Sequence, residues 1–409
     1  MNINNVLDKI KSNETRNNSF LHLTANENQM SKTTRMFLDS KLNERYFMGG
    51  GDENGIVDFG HFTALGLNGV EELVEMANTA AMEMLHAKGV NLNVLSGVHA
   101  MMSTILATTS PGDLVMTVPL EYGGHFATKG IINSIGRKHI FAVYDFPNLK
   151  FDANKIGQLV KENNVKAIYL DVSYYLNPHN LKEIRAAIGD DVIIIYDASH
   201  TMGLIMGGQF QSPLEEGANV ICANTHKTLP GPHKGMIAFR DTDLAEKANK
   251  LIDGCLYSTN QVSHLIALST AILEMKEFGQ EYAKQIISNS NAIAKAFEEL
   301  GYDVRKANTG RYSENHQAHV FIDNKGDRLR LYKNLIDNNI STNFEGTELA
   351  NGRLFIRIGT QELTHRGMKE TEMSLIASLM DKVMQGENVK SEVEKLNKQF
   401  SKIAYSFDQ

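Results

Sequence analysis

The run Asn224-Thr225-His226-Lys227-Thr228-Leu229-Pro230-Gly231-Pro232 follows a short apolar segment, Val220–Ala223. A lysine at the exit of a buried strand, among hydroxyl and amide groups and before a Pro/Gly turn, is oddly placed for a surface charge. Partial desolvation there disfavours the ammonium and favours the free amine. A free amine is what a Schiff base with an aldehyde cofactor requires. Taken alone, a solvated loop lysine fits these residues better. Three companions shift that balance. Asp197 ends an apolar run thirty residues earlier. An acid at the carboxyl edge of an open α/β sheet stands where ligands bind. Facing a pyridine nitrogen, it keeps that nitrogen protonated and turns a pyridine aldehyde into an electron sink; a helix N-cap is its other reading. Ser96-Gly97-Val98-His99 opens a helix at Ala100. A small turn of this kind presents backbone N–H groups and a positive dipole to a phosphate, although Ser-Gly turns alone are weak signals. Arg357 lies inside the apolar run Leu354–Thr360. Its planar fork suits a substrate carboxylate, and a structural ion pair would satisfy it equally.

The elements that must position these residues are legible in the periodicity. Leu114–Val118, Ala167–Asp171, Val192–Asp197, Val220–Ala223 and Met236–Arg240 are short apolar runs rich in β-branched residues, separated by helical patterns. They predict an α/β region with a largely parallel sheet over about 90–240. Gly69–Leu85 reads as an amphipathic helix with acids in its first turn. Met101–Ala107 reads as a buried helix closed by Ser110-Pro111-Gly112-Asp113. Phe278–Leu300 reads as a long amphipathic helix closed by Gly301. Strands at His319–Ile322 and Leu354–Ile358, then helices at Lys369–Met384 and Glu387–Lys402, suggest a smaller α+β domain. The expected organisation is an N-terminal arm (1–45), a large cofactor domain (46–274) and a small C-terminal domain (275–409).

Composition sets the outer bounds. The chain has 409 residues, 42% hydrophobic and 22% charged, which is the globular range and argues against disorder, collagen and coiled coil. A net charge of −7 without a long basic run is a poor match to nucleic acid. No run approaches a membrane span, and the polar N-terminus lacks a signal-peptide core. Cys222 and Cys255 have no metal-type spacing and are expected to be buried thiols in a reducing cytoplasm; no metal site is expected. Fourteen histidines stand against no tryptophan. Of these, His99, His125, His200 and His226 fall in the segments that carry the chemistry.

Phosphate turn, aspartate, lysine and then an arginine in a second domain are the order of fold-type I pyridoxal-phosphate enzymes, of the aspartate aminotransferase-like kind. Within that class the chain resembles serine hydroxymethyltransferases and their relatives. The resemblance rests on LTANEN near the start, EYGGHF at 121–126, DASHTMGLIMGGQF, NTHKTLPGPHKGMIAF and IRIGTQELTHRGMKE, and it runs from about residue 20 to the end. It implies a mostly parallel seven-stranded sheet, pyridoxal 5'-phosphate on Lys227, Asp197 at the pyridine nitrogen and Tyr122 over the ring. It also places Ser96, Gly97 and Val98 at the phosphate, aided by Thr259 and Asn260 of a second subunit. His200 and Ser173 are implied on the phenolic-oxygen side, with Asn224 and His226 beside the lysine. Arg357 is implied at the substrate carboxylate, and Asn26 and Tyr46 near the carboxylate and phosphate. His125, His226 or a water is the candidate base for a β-hydroxyl proton.

The sequence departs from the parent pattern where folate chemistry is served. Met48 stands where the family has a glutamate shortly after a tyrosine, here Tyr46. His61-Phe62 replaces a tyrosine pair, and Tyr257–Gln261 replaces a glycine-rich segment. A thioether cannot carry a proton in acid–base chemistry. The chain is more similar to the threonine transaldolase branch, through FGQEYAKQIISNSNAIA, STNFE at 341–345 and the terminal AYSFD. That branch implies transfer of a glycyl unit from L-threonine to an acceptor aldehyde, in a homodimer or a dimer of dimers acting only on small molecules. Folate-linked hydroxymethyl transfer to glycine or an α-methylated amino acid, threonine aldolase, a non-catalytic cofactor protein and an aminotransferase are the other readings.

Overall fold

The computed structural model describes residues 2–145, 148–258, 260–322, 327–345 and 353–408. The chain divides into two compact units: Asn28–Lys284 with Tyr405–Gln409, and Met1–Glu27 with Gln285–Ala404. These limits differ from 1–45, 46–274 and 275–409. Helix α1 (Ile3–Asn17) leads into Leu21 and His22, which pair in parallel with Ile340 and Ser341, and Thr24 bridges to Ile358. Those pairings assign residues 1–27 to the C-terminal unit, whereas 28–45 go with the other.

The larger unit is built on a seven-stranded sheet. Its strands are β1 (Gly89–Asn91), β2 (Leu114–Thr117), β3 (Lys138–Phe141), β4 (Val165–Leu170), β5 (Ile193–Asp197), β6 (Val220–Asn224) and β7 (Gly235–Phe239), in the order β1-β7-β6-β5-β4-β2-β3. Strands β2 to β6 pair in parallel; β7 alone runs antiparallel, between β6 and β1. The continuous Val/Ile runs follow from this: a parallel sheet covered on both faces buries every side chain, so no polar alternation survives. On one face Val115, Ala167, Tyr169, Ile195, Val220 and Ile237 pack with Ala100, Met101 and Ile105 of helix α3 (Gly97–Thr108). Helix α2 (Asn68–Leu85) ends on His86 in the left-handed region, at φ 53°.

Helix α4 spans Val262–Glu299, sixteen residues longer at its start than the periodicity predicts. The added part buries Val262, Leu265, Ile266, Leu268, Ala271, Ile272 and Met275, and a helix that is apolar nearly all round shows no amphipathic stripe. In the smaller unit, β8 (Gln317–Phe321), β9 (Asn343–Glu345) and β10 (Phe355–Gly359) form an antiparallel sheet in the order β8-β10-β9. Phe297, Val320, Ile356, Ile358, Leu363, and Ile376 and Met380 of helix α5 (Glu370–Met384) fill its core. Among the described residues no helix is long and apolar enough to cross a membrane.

The expectation of two buried thiols is half corrected. Cys222 is fully buried on β6, 3.0 Å from Thr104 Oγ1, but Cys255 is exposed in the Ile252–Leu256 turn. That turn holds Asp253 and Gly254 and keeps only Ile252 inside. Burial pushes the Cys222 thiol far above its usual range. Ellman's reagent is therefore expected to titrate at most one thiol per chain in the native protein, with the second appearing only on denaturation. Two fast thiols in native buffer would contradict the burial of Cys222.

Candidate active site

Three adjacent parallel strands end together, and their ends supply the site. Register pairs Ile195 with Tyr169 and Tyr196 with Leu170. Side chains two apart share a face, so Asp197 and Asp171 project on the same side as Tyr169. Next to them, β6 ends at Asn224 and delivers Lys227 three residues on. These ends and the start of α3 surround a cavity lined by Gly97, Val98, Met101, His125, Thr128, Tyr169, Asp171, Ser173, Asp197, Ser199, His200, Asn224 and Lys227. Two larger grooves run elsewhere on this unit, one edged by Asp145, Asp152 and Glu183 and one by His86, Glu215 and Arg240. Each carries a lysine, Lys150 and Lys88 respectively, but both are exposed on the surface.

Each charged group in the cavity is held. Asp197 accepts from the Tyr169 hydroxyl (2.5 Å) and from the Ser199 N–H (2.8 Å). The phenol, buried beside carboxylates, is pushed far above its usual range and stays a donor. Lys227 Nζ lies 3.2 Å from His200 Nε2. The lysine loop is fastened by its own threonines. Thr228 Oγ1 donates to His200 O (2.9 Å), and Thr225 Oγ1 donates to Pro232 O (2.6 Å). Asn28 Nδ2 donates to the Lys227 carbonyl (2.6 Å). His125 lies low in its titration range because enclosure disfavours the imidazolium; Asp197 pulls the other way and Lys227 adds to the lowering.

The α3 start forms the phosphate-type turn. Ser96 Oγ accepts from the His99 N–H (3.1 Å) as N-cap, so its side chain serves the helix, while Gly97 and Val98 face the cavity. Gly97 N donates to Asn224 Oδ1 (2.9 Å), and a Cβ on Gly97 would fall 2.4 Å from that oxygen. Beneath this turn Lys234 is fully buried and donates to the carbonyls of Leu92 and Val94, the latter at 3.1 Å. Burial pushes its ammonium down to about 7.

The structure therefore gathers Lys227, Asp197, His125, Gly97, Val98, Ser173, His200 and Asn224 into one cavity. Others fall elsewhere. Tyr122 lies outside the lining, its ring 6.4 Å from Tyr144. Gly123, with φ of 92°, and Gly124 turn the chain, so that His125 reaches the cavity instead. His226 stacks on His233 at 3.8 Å, and burial with that neighbour pushes it down to about 3; it is not in the lining. Asn260 hydrogen-bonds Tyr257 away from the cavity, and Tyr46 is exposed. Thr259 lies outside the described residues. Asn26 and Arg357 belong to the smaller unit. There the anion that a buried arginine needs is Glu345, whose Oε1 is 3.0 Å from Arg357 Nε. Sequence reading missed Asp171, Thr128, Tyr169 and Asn28; the regular hydroxyls flanking Lys227 were the signal it could have used for the loop. Among the described residues no three His, Cys, Asp or Glu side chains gather as metal ligands.

What this cavity fits is a phosphorylated pyridine aldehyde. An amine stands on one wall, a fixed carboxylate at the sheet edge, and a glycine at a helix start leaves room only for backbone. One buried carboxyl oxygen, Asp171 Oδ1, still lacks a partner outside its own residue. Fold and cavity together define a fold-type I pyridoxal-phosphate-dependent transferase. The chain belongs to the serine hydroxymethyltransferase family, whose model matches residues 2–380. It is 33% identical to a serine hydroxymethyltransferase of Methanothermobacter marburgensis over 99% of this chain and 95% of that protein. It is 35% identical to the fluorothreonine transaldolase of Streptantibioticus cattleyicolor over 89% of this chain and 57% of that protein. The crystal structure of L-threonine transaldolase from Pseudomonas fluorescens in its internal aldimine state superposes with a TM-score of 0.88 at 29% identity, covering 99% of this chain and 94% of that one. Pyridoxal phosphate is the cofactor.

Gly97→Ala is expected to displace the Asn224 amide. Overpacking of this kind costs about 1–3 kcal/mol, read as a lower urea midpoint of the apo-protein, and it weakens cofactor binding in equilibrium dialysis. Wild-type values for both would contradict the close approach.

Proposed function

We propose that this enzyme is an L-threonine transaldolase: it moves a glycyl unit from L-threonine to an acceptor aldehyde, releasing acetaldehyde and forming a β-hydroxy-α-amino acid. The observation that carries this reading is Met48, which stands where the family's folate chemistry uses a glutamate. Likeness to two transaldolases supports it. The serine hydroxymethyltransferase relatives support the alternative, folate-linked transfer.

Bound pyridoxal phosphate supplies the electron sink that lets the Cα–Cβ bond of threonine break with its electrons left on Cα. Lys227 Nζ would hold the cofactor aldehyde, and the nearby His200 ring would take up or return the proton of that amine. Asp197, fixed by Tyr169 and Ser199, holds the proton on the pyridine nitrogen. Gly97 and Val98 hold the phosphate. The resemblance puts Tyr122 over the ring, and His125, which lines the cavity, would accept the β-hydroxyl proton. Arg357, beside Glu345, is assigned the substrate carboxylate, which its planar fork suits. Asn26 and Tyr46 complete the substrate set, and Thr259 and Asn260 act from a second subunit of a homodimer. Met48 offers no proton to the glycyl carbon once acetaldehyde has left, which leaves that carbon time to meet a second aldehyde.

Incubation of the holoenzyme with L-threonine and a panel of aldehydes is expected to release acetaldehyde in step with a new β-hydroxy amino acid. Serine turnover that requires tetrahydrofolate, with no threonine-dependent acetaldehyde, would replace this reading with hydroxymethyl transfer. Met48→Glu is expected to raise glycine release relative to aldehyde transfer, and an unchanged partition would remove the proton-donor argument.

A further inference from the structure

Asp171 follows directly on β4 and is buried in the cavity wall. Its Oδ2 accepts from the Thr128 hydroxyl (2.6 Å) and from the backbone N–H of His125 (3.2 Å). Its Oδ1 is buried with no hydrogen-bond partner outside its own residue. Asp197, one strand over, has both oxygens engaged. Two carboxyls thus share one small cavity, and they differ in how they are compensated. A buried carboxylate with an empty oxygen beside a second carboxylate is costly to keep ionised. A carboxylic acid costs far less and keeps Oδ2 for its two donors.

We propose that Asp171 is a positioning residue of this active site: a neutral carboxylic acid that pins the backbone of His125 at the cavity. The proposal rests on the cofactor cavity and not on which aldol reaction follows, so the two can fail separately. The groups facing Asp171 are Asp197 from β5, Tyr169 from its own strand, Thr128 and His125 from the segment after Gly124, and His200 and Lys227 across the cavity. Burial is the largest influence on its titration, and Asp197 adds to it against the Thr128 hydrogen bond, which together raise Asp171 to about 7.

Two variants and one pH series test this. A group whose folded value lies above its unfolded one stabilises the fold at low pH and loses that contribution as pH rises through the folded value. The urea midpoint of wild-type apo-protein is therefore expected to fall relative to that of Asp171→Asn between about pH 4 and 7, then to run parallel above. Asparagine reproduces a neutral carboxyl, so Asp171→Asn should keep the cofactor dissociation constant within about threefold of wild type. Asp171→Ala should raise it about tenfold, the worth of one hydrogen bond, and shift the absorption maximum of the bound cofactor as His125 loses its anchor. Parallel pH profiles for wild type and Asp171→Asn would overturn the proposal. So would an asparagine variant as damaged in cofactor binding as the alanine variant, because the group would then be acting as a carboxylate.

Discussion

Charge crowded onto one buried sheet edge has to be compensated within a few ångströms. Parallel strands end in register, so β4, β5 and β6 bring their final side chains into one place whether or not those side chains suit each other. Asp197 is compensated by a phenol and a backbone amide. Lys227 is set beside an imidazole, and Asp171 is set where its charge is unfavourable. The helix start at Gly97 adds a positive dipole to the same edge, and Asn224 ties that start to the end of β6. The anionic cofactor completes a set of charges that the protein alone leaves unequal.

Rigidity around the lysine comes from local bonds. Thr225 and Thr228 close the loop on its own carbonyls and on the neighbouring segment, and Asn28 holds the Lys227 carbonyl. The reactive amine therefore stands on backbone that is over-determined. Placement of this kind provides the orientation on which covalent catalysis depends.

The sheet, its parallel sense and the position of Asp197 and Lys227 at its carboxyl edge were legible in the sequence, because buried parallel strands and their exits have a distinctive composition. The first half of α4 was not, since full burial erases helical amphipathicity. That His125 and not Tyr122 lines the cavity was not legible either. It turns on two glycines whose conformations set which side chain faces inward, and spacing alone does not encode that. Asp171 read as the last residue of a strand. Its significance comes from Thr128, His125 and Asp197, which the fold brings to it from two other segments. Glu345, the partner of Arg357, was hidden for the same reason, as a residue on a neighbouring strand of the smaller sheet.

The buried Lys234 bears on how an aldehyde finds the right amine. It stands seven residues after Lys227, and its burial gives it free-amine character near neutral pH. By basicity alone it would compete for the cofactor. Yet it has no exposed surface and is turned onto the carbonyls of Leu92 and Val94, while Lys227 opens on the cavity. Access thus separates the two lysines, and the fold can use a buried lysine as a structural clamp without risking misplaced covalent attachment.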